Sequence, residues 1–478
     1  MKRLLYPILV LLVLALPDSG RAEAPNLLLI LADDMGYGDL QFTGSEHLRT
    51  PHLDALAKSG VFCEQAYVSS PVCSPSRAGL ITGRDPRRFG YEGNLNKGDA
   101  SYPTRPELLG LPPGEHTLAD HLRAAGYRTG LVGKWHLGIG PGFHPNERGF
   151  DDFCGMLTGS HSYFPTKGRH QIERNGEPVT EFLKEYLTDF FTDEIIRFME
   201  KGGAKEKPWF LFASYNAPHG PMHATEQDLA LFSHITDQKR RTYAAMMFAL
   251  DRGVGKLREW LEENGELENT LIVFFSDNGG ATGNASWNGP LSGAKGTLKE
   301  GGVRIPMIWS QPGTIPSDAR IISPVSALDL LPTFLAAAGA EALPIREPLS
   351  HEDKNNFKRG VKKYGAYDGI NLLPVLAGEP GPPRTIFWRL QGQTAILDGD
   401  DKLIRLTHRP AQLFQPSSDP GELSDLAPVS GERFEELFRK LGEWEASLPT
   451  VPLWGSSPFW NSESAKHYDS LSPREEPK

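Results

Sequence analysis

Four unbroken apolar runs, at 26–32, 128–132, 209–215 and 271–276, set the limits on what this chain can fold into. A strand with one wet face alternates apolar and polar residues, whereas an unbroken run suits a strand buried on both faces of a parallel sheet. Helical periodicity fills the stretches between them, at 117–125, 188–201, 241–262 and 327–338. Strands separated by helices predict an α/β layered domain, with a large, mixed but mostly parallel sheet sandwiched by helices. A length of 478 residues, 39% of them hydrophobic, supports one large domain and a smaller one.

The smaller unit reads as a C-terminal antiparallel sheet with one helix over 384–450, built from short strands at 385–390, 394–397 and 402–407 and a helix at 431–446. A Gly/Pro-rich linker at 378–383 separates it from a catalytic domain spanning 25–378, within which the charged stretch 341–363 reads as a surface insertion. The polar tail 462–478 is expected to be poorly ordered. At the other end, Lys2 and Arg3 precede an apolar run at 4–16 and a small-residue end at Ala22-Glu23-Ala24, the pattern of a secretory signal peptide over 1–24. That run is shorter than the ~20 residues a membrane span needs. The expectation is an exported protein, periplasmic or secreted, with no stable membrane insertion after signal cleavage.

The formal charge of −10 and the lack of a Lys/Arg stripe argue against a nucleic-acid partner. Three cysteines, Cys63, Cys73 and Cys154, cannot form the disulfide framework of a small exported scaffold, and Cys63 and Cys154 are read as buried thiols. The single N-x-[ST] sequon, at Asn284, lies in what reads as a site loop, which points to a bacterial periplasm.

Ligands of open parallel sheets bind outside the carboxyl ends of the strands. Here the four runs end in Asp33-Asp34, Lys134-Trp135-His136, His219 and Asp277-Asn278. Each has an ordinary reading as a cap, turn or solvated side chain, but their recurrence at four strand ends does not. Asp33, Asp34, Asp277 and Asn278 form an oxygen-only donor set that suits Ca²⁺, with Mg²⁺ as the alternative, and disfavours zinc. Arg77, Lys134 and Lys295 add fixed positive charge, and His136 and His219 can move protons near neutral pH. Such a site is suited to an oxyanion. A helix after Cys73 would aim its N-terminal N–H groups at that anion.

Cys73-Ser74-Pro75-Ser76-Arg77, followed by Leu80-Ile81-Thr82-Gly83-Arg84, matches the sequence at which sulfatases convert a cysteine to formylglycine. With it come Leu31-Ala32-Asp33-Asp34-Met35-Gly36, Gly133-Lys134-Trp135-His136, Pro218-His219, Ser276-Asp277-Asn278-Gly279, Gly293-Ala294-Lys295-Gly296 and Asp419-Pro420-Gly421-Glu422. In this order, over about 26–426, the chain resembles a type I sulfatase of the alkaline-phosphatase superfamily. The resemblance implies that fold, a formylglycine-generating maturase as partner, and a sulfated carbohydrate or other sulfate ester as substrate. It implies that Asp33, Asp34, Asp277, Asn278 and modified Cys73 bind the metal. Arg77 and Lys134 would hold the aldehyde hydrate, while His136, His219 and Lys295 would contact sulfate or transfer protons. One hydroxyl of the hydrate would attack sulfur, His219 or Lys295 would protonate the leaving oxygen, and His136 would take the second hydroxyl's proton as the aldehyde re-forms. Ser292 stands where relatives often carry Arg, and Ser160 and His161 are candidates for an extra sulfate ligand. Trp287, Trp388 and Trp454 are candidates for stacking on sugars. A phosphonate or phosphodiester hydrolase on the same scaffold, and a glycan-binding relative without turnover, are the alternative functions.

Overall fold

The structure, a computed structural model, describes residues 24–95, 109–165, 172–179, 185–201, 207–344, 367–407, 409–449 and 467–468. The expected signal peptide, most of the 341–363 insertion, Trp454 and most of the tail lie outside them. Among the described residues, no helix is long and apolar enough to cross a membrane.

The four apolar runs become β1 (Asn26–Ala32), β3 (Arg128–Lys134), β7 (Trp209–Ser214) and β8 (Thr270–Ser276). Joining them in one large sheet are β2 (Val61–Tyr67), β4 (Asp152–Met156), β5 (Glu173–Arg174), β6 (Glu177–Pro178), β9 (Arg304–Ser310), β10 (Ala319–Ile321) and β11 (Val325–Ser326). Their order is β10-β2-β9-β8-β1-β7-β3-β4-β5-β6, with β11 also on β2. Strand β1 lies between β7 and β8 and is parallel to both, Leu28 standing opposite Leu211 on one side and Ile272 on the other.

Period-two alternation divides β1 between two cores. Leu27, Leu29 and Leu31 pack with α2 (Cys73–Thr82), α3 (Leu118–Ala124) and α8 (Leu330–Ala338). Leu28 and Ile30 pack instead with α1 (Pro51–Lys58), α4 (Leu187–Glu200) and α6 (Gln238–Glu263). All five side chains are at most 1% exposed, and each such burial contributes about 1.5–3 kcal/mol. The remaining helices are short: α5 (Glu226–Leu231), α7 (Glu300–Val303) and α9 (Leu373–Leu376).

The mixed, mostly parallel sheet agrees with the expectation; the short β5 pairs antiparallel with β4 and β6 at the far edge, and β9 runs antiparallel between β8 and β2. Pro306 hides this strand from sequence reading, because proline inside a run argues against a central strand. The sheet accommodates it at an irregularity: register on β2 shifts between the pairs Cys63–Met307 and Ala66–Ile305, leaving Pro306 at the break.

The C-terminal unit has β12 (Thr385–Leu390), β13 (Gln393–Asp398), β14 (Asp401–Leu406) and β15 (Gln412–Phe414) in consecutive antiparallel order, with α10 (Gly431–Ser447) on one face. Ile396, Leu403 and Leu413 face Leu437, Leu441 and Trp444 of α10. Their neighbours Ala395, Leu397, Ile404 and Phe414 enter the large domain's core. Polar contacts fix this seam. Trp388 Nε1 donates to Val68 O at 2.7 Å, and Arg87 Nη2 donates to Phe387 O at 2.9 Å. Lys402, fully buried, contacts Glu300 Oε1 at 2.7 Å and Glu422 Oε1 at 3.0 Å.

Removing Lys402 takes away the cation that bridges two buried carboxylates, leaving Glu300 with Arg304 Nη1 at 3.4 Å and Glu422 with neutral donors. Lys402→Met is therefore expected to destabilise the fold by about 3–5 kcal/mol, read as a lowered midpoint in urea unfolding; an unchanged midpoint would mean that the seam does not depend on this ion triad.

Candidate active site

The segments that follow β1 and β3 deliver their chemistry through abrupt turns. Asp34 and His136, each just past a strand, have φ of 67° and 59°, left-handed values that non-glycine residues adopt rarely and mostly where surrounding structure enforces them. Gly133, φ 111°, shows how tight the delivery of Lys134 is, since a Cβ there would lie 1.9 Å from Ser214 O. Only glycine lets β3 approach β7 this closely.

Cys73 opens α2 and is 1% exposed. Its Sγ lies 3.0 Å from Lys295 Nζ, 3.7 Å from Asp33 Oδ1 and 3.9 Å from Asp34 Oδ1. Three cation–carboxylate contacts surround it. Lys134 Nζ donates to Asp33 Oδ2 at 2.6 Å, Lys295 Nζ to Asp34 Oδ1 at 2.5 Å, and Arg77 Nε to Asp277 Oδ2 at 2.8 Å. Asn278 Nδ2 donates to Asp34 Oδ1 at 2.8 Å, and His219 Nε2 stands 3.6 Å from Asp34 Oδ2. The structure thus assembles Asp33, Asp34, Cys73, Arg77, Lys134, His219, Asp277, Asn278 and Lys295. His136 borders them, with Nε2 3.1 Å from Leu95 O.

Burial and charge act in opposite directions here. Burial alone would keep the Cys73 thiol protonated, but Lys134 and Lys295 lower it to about 7. Burial, then the Asp33 charge, push Asp277 up to about 6 against the pull of Arg77. Asp34 resists its burial and is held below the usual carboxylate range by Lys295 and His219. The two imidazoles diverge. Burial opposes charging of His219, yet Asp33 and Asp34 raise it to about 9, whereas burial, Lys134 and Arg77 lower His136 well below its ordinary value. A charged and a neutral imidazole in one site suit opposite proton roles.

The cluster can hold a metal ion. Ligand atoms from Asp33, Asp34, Cys73 and His219 lie within 4.8 Å of one another, and atoms on a coordination sphere of ~2.3–2.6 Å radius span at most about 5 Å. Asn278 Oδ1 is buried with no hydrogen-bond partner, as an acceptor kept for a cation would be. His219, read from sequence as a proton or sulfate contact, shares that cluster, while Asp277 is engaged by Arg77 and by Asp34 N.

Other sequence candidates divide. His161 is buried with Nδ1 2.6 Å from Ser162 O, and Ser160 is exposed. Trp388 is fully buried in the seam, and Trp287 is half-buried with its ring against Gly38 and Gly289. The Asn284 side chain is 3% exposed and donates to Asp34 O and Pro218 O, so this sequon braces the site and leaves no room for a glycan. Cys63 and Cys154 are buried free thiols.

Sequence reading missed the braces. Ser214 Oγ accepts from Arg77 Nη1 and donates to Lys134 O, both at 2.7 Å. Ser74 Oγ donates to His136 O at 2.6 Å, and Asn94 Oδ1 accepts from Ser74 N at 2.9 Å. A polar residue ending an apolar run could have marked Ser214; nothing local marks Asn94.

Fold and site together define an α/β-layered protein that gathers carboxylates, cations, a thiol and an imidazole at the carboxyl ends of its parallel strands, in a cluster able to hold a metal ion. Comparison with known proteins narrows this. The Sulfatase family profile matches residues 25–340. N-acetylgalactosamine-6-sulfatase of Canis lupus familiaris is 34% identical over 397 residues, covering 80% of this chain and 71% of the relative. Arylsulfatase A of Homo sapiens is 31% identical over 500 residues, 91% and 90% of the two chains. The crystal structure of Ps i-CgsB in complex with k-i-k-neocarrahexaose superposes with a TM-score of 0.80 at 35% identity, over 94% of this chain and 98% of that one. The chain belongs to the Sulfatase family, and the protein is a sulfuric ester hydrolase.

Ser214→Ala removes one of the two acceptors that hold Arg77 Nη1. It is expected to cost about 1.5–3 kcal/mol of stability and to slow hydrolysis of an aryl sulfate, measured by urea titration and a colorimetric assay; no change in either would show that Arg77 is held without it.

Proposed function

We propose that the protein hydrolyses O-sulfate esters of carbohydrates through a formylglycine made from Cys73, with a divalent cation held by Asp33, Asp34, Asp277, Asn278 and the modified residue. The observation that carries this reading is the gathering of Lys295, Asp33 and Asp34 within 3.9 Å of one buried sulfur that opens a C-S-P-S-R helix. A hydrated aldehyde would supply one hydroxyl to attack sulfur and a second whose deprotonation releases sulfate, a route closed to a plain serine or cysteine ester. The cation, Ca²⁺ first and Mg²⁺ second on this donor chemistry, would draw charge from the sulfate oxygens.

The chain's own groups supply the rest. Arg77 and Lys134, both buried, orient the nucleophilic residue. Lys295 reaches the same atom and is placed to contact a sulfate oxygen. His219 or Lys295 gives a proton to the departing alcohol oxygen, and His136 takes the proton of the second hydroxyl. Burial of Arg77, Lys134, His136 and Lys295 excludes water from them and strengthens each electrostatic contact, while His219 lies at the more open side of the site.

A carbohydrate substrate is supported by the two relatives with carbohydrate names or ligands, one an N-acetylgalactosamine-6-sulfatase and one bound to a neocarrahexaose. Export is supported by the N-terminal sequence alone, and a formylglycine-generating maturase is the partner that the Cys73 motif calls for.

Co-expression with such a maturase is expected to yield a 59–77 tryptic peptide bearing an aldehyde in place of the thiol, with Cys73→Ala folded but without turnover; activity in that variant would refute covalent catalysis. Asp277→Ala should lose both bound metal, by elemental analysis, and rate, and full metal content would remove Asp277 from the ligand set. Sulfated oligosaccharides are expected to be hydrolysed in preference to phosphonate esters of the same leaving group, and the opposite order would favour a phosphonate hydrolase.

A further inference from the structure

The loop that carries Lys295 is held from outside by the C-terminal third of the chain. Its inner side is tied to the large domain, Lys295 N donating to Gly280 O at 3.1 Å and Gly296 N to Pro71 O at 2.9 Å. Its outer side presents Gly296 O and Leu298 N from a run of turns, and Glu300 N from the start of α7. Side chains of the C-terminal third meet all three groups. Gln393 Nε2 donates to Gly296 O at 2.9 Å, Leu298 N donates to Tyr468 Oη at 2.9 Å, and Glu300 N donates to Glu422 Oε2 at 2.9 Å. Tyr468 Oη also donates to Gln393 Oε1 at 2.7 Å, making the first two contacts one linked unit. Ser292 Oγ donates to Glu422 Oε2 at 3.0 Å, which fastens the start of the same loop.

Gly296, Leu298 and Gln393 are buried, so water is a poor substitute for any lost partner. Gln393 opens β13, and Tyr468 lies past Ser447, the end of α10, in a stretch whose composition gave no reason to expect order. The contacts fall one and three residues from Lys295, whose Nζ is 3.0 Å from the Cys73 sulfur. A shift of a few tenths of an ångström at Gly296 would move that ammonium relative to the reacting atoms.

We propose that Tyr468 and Gln393 are positioning residues for the sulfatase reaction, acting through the 293–300 loop to hold the Lys295 ammonium against the nucleophile. This rests on the reading of Lys295 as a group that touches sulfate.

The test is a double-mutant cycle on the full-length, maturase-treated protein with an aryl sulfate as substrate. Tyr468→Phe and Gln393→Met are each expected to lower kcat about fivefold, the size of one neutral hydrogen bond, with KM within twofold of wild type and the bound metal retained. In a Lys295→Met background the Tyr468→Phe effect should vanish. Unchanged kcat in both single variants, or an equal drop with and without Lys295, overturns the proposal. Should Lys295→Met prove too slow to assay, the single variants decide: a fall in kcat at constant KM supports positioning, and a rise in KM at constant kcat overturns it. Wild-type turnover by Lys295→Met would instead refute the reading of Lys295 itself.

Discussion

The structure depends on keeping three cations and three carboxylates in a dry pocket without collapse or repulsion. Arg77 with Asp277, Lys134 with Asp33 and Lys295 with Asp34 form contacts of 2.5–2.8 Å between side chains at most 5% exposed. Desolvating such groups costs several kcal/mol each unless they pair well. The two members of each pair come from different parts of the chain, and the sheet must hold those parts in fixed register. Asp33 follows β1 and Lys134 ends β3, so the two sides of one pair are separated by β7 and brought into contact only at the strand ends.

Two apolar layers secure that register. Alternate residues of β1 enter opposite cores, so a one-residue slip would exchange every side chain between them. The small sheet repeats the device, with one face on α10 and the other in the main core. It is thus part of the catalytic body, and the Lys402 triad sits where the two meet.

Much of this was legible in the sequence because it was local. Unbroken runs identified β1, β3, β7 and β8, and reactive residues at their ends identified most of the site. What escaped was non-local or locally contradictory. Pro306 concealed β9, because its placement at a register break depends on β2. Ser214 and Asn94 are ordinary polar residues until the fold sets them beside Arg77 and Ser74. Trp388 reads as a candidate sugar platform although core packing is the commoner role of a tryptophan, and its burial and contact with Val68 O place it in the core. The Asn284 sequon reads only as a clue to compartment, while its burial against Asp34 O gives it a structural task.

The antiparallel course of β9 has one more consequence. Because β9 runs back beside β8, the chain that leaves the sheet after Ser276 returns at Arg304 to the same edge. The segment between them, which carries Asp277, Asn278 and Lys295, therefore closes on itself and needs no crossover. Loop closure grows only logarithmically with length, about 0.6 kcal/mol per doubling. Descendants of this scaffold can thus lengthen or reshape the outer part of that excursion, and so alter what the enzyme accepts, while both ends stay anchored to strands that do not move.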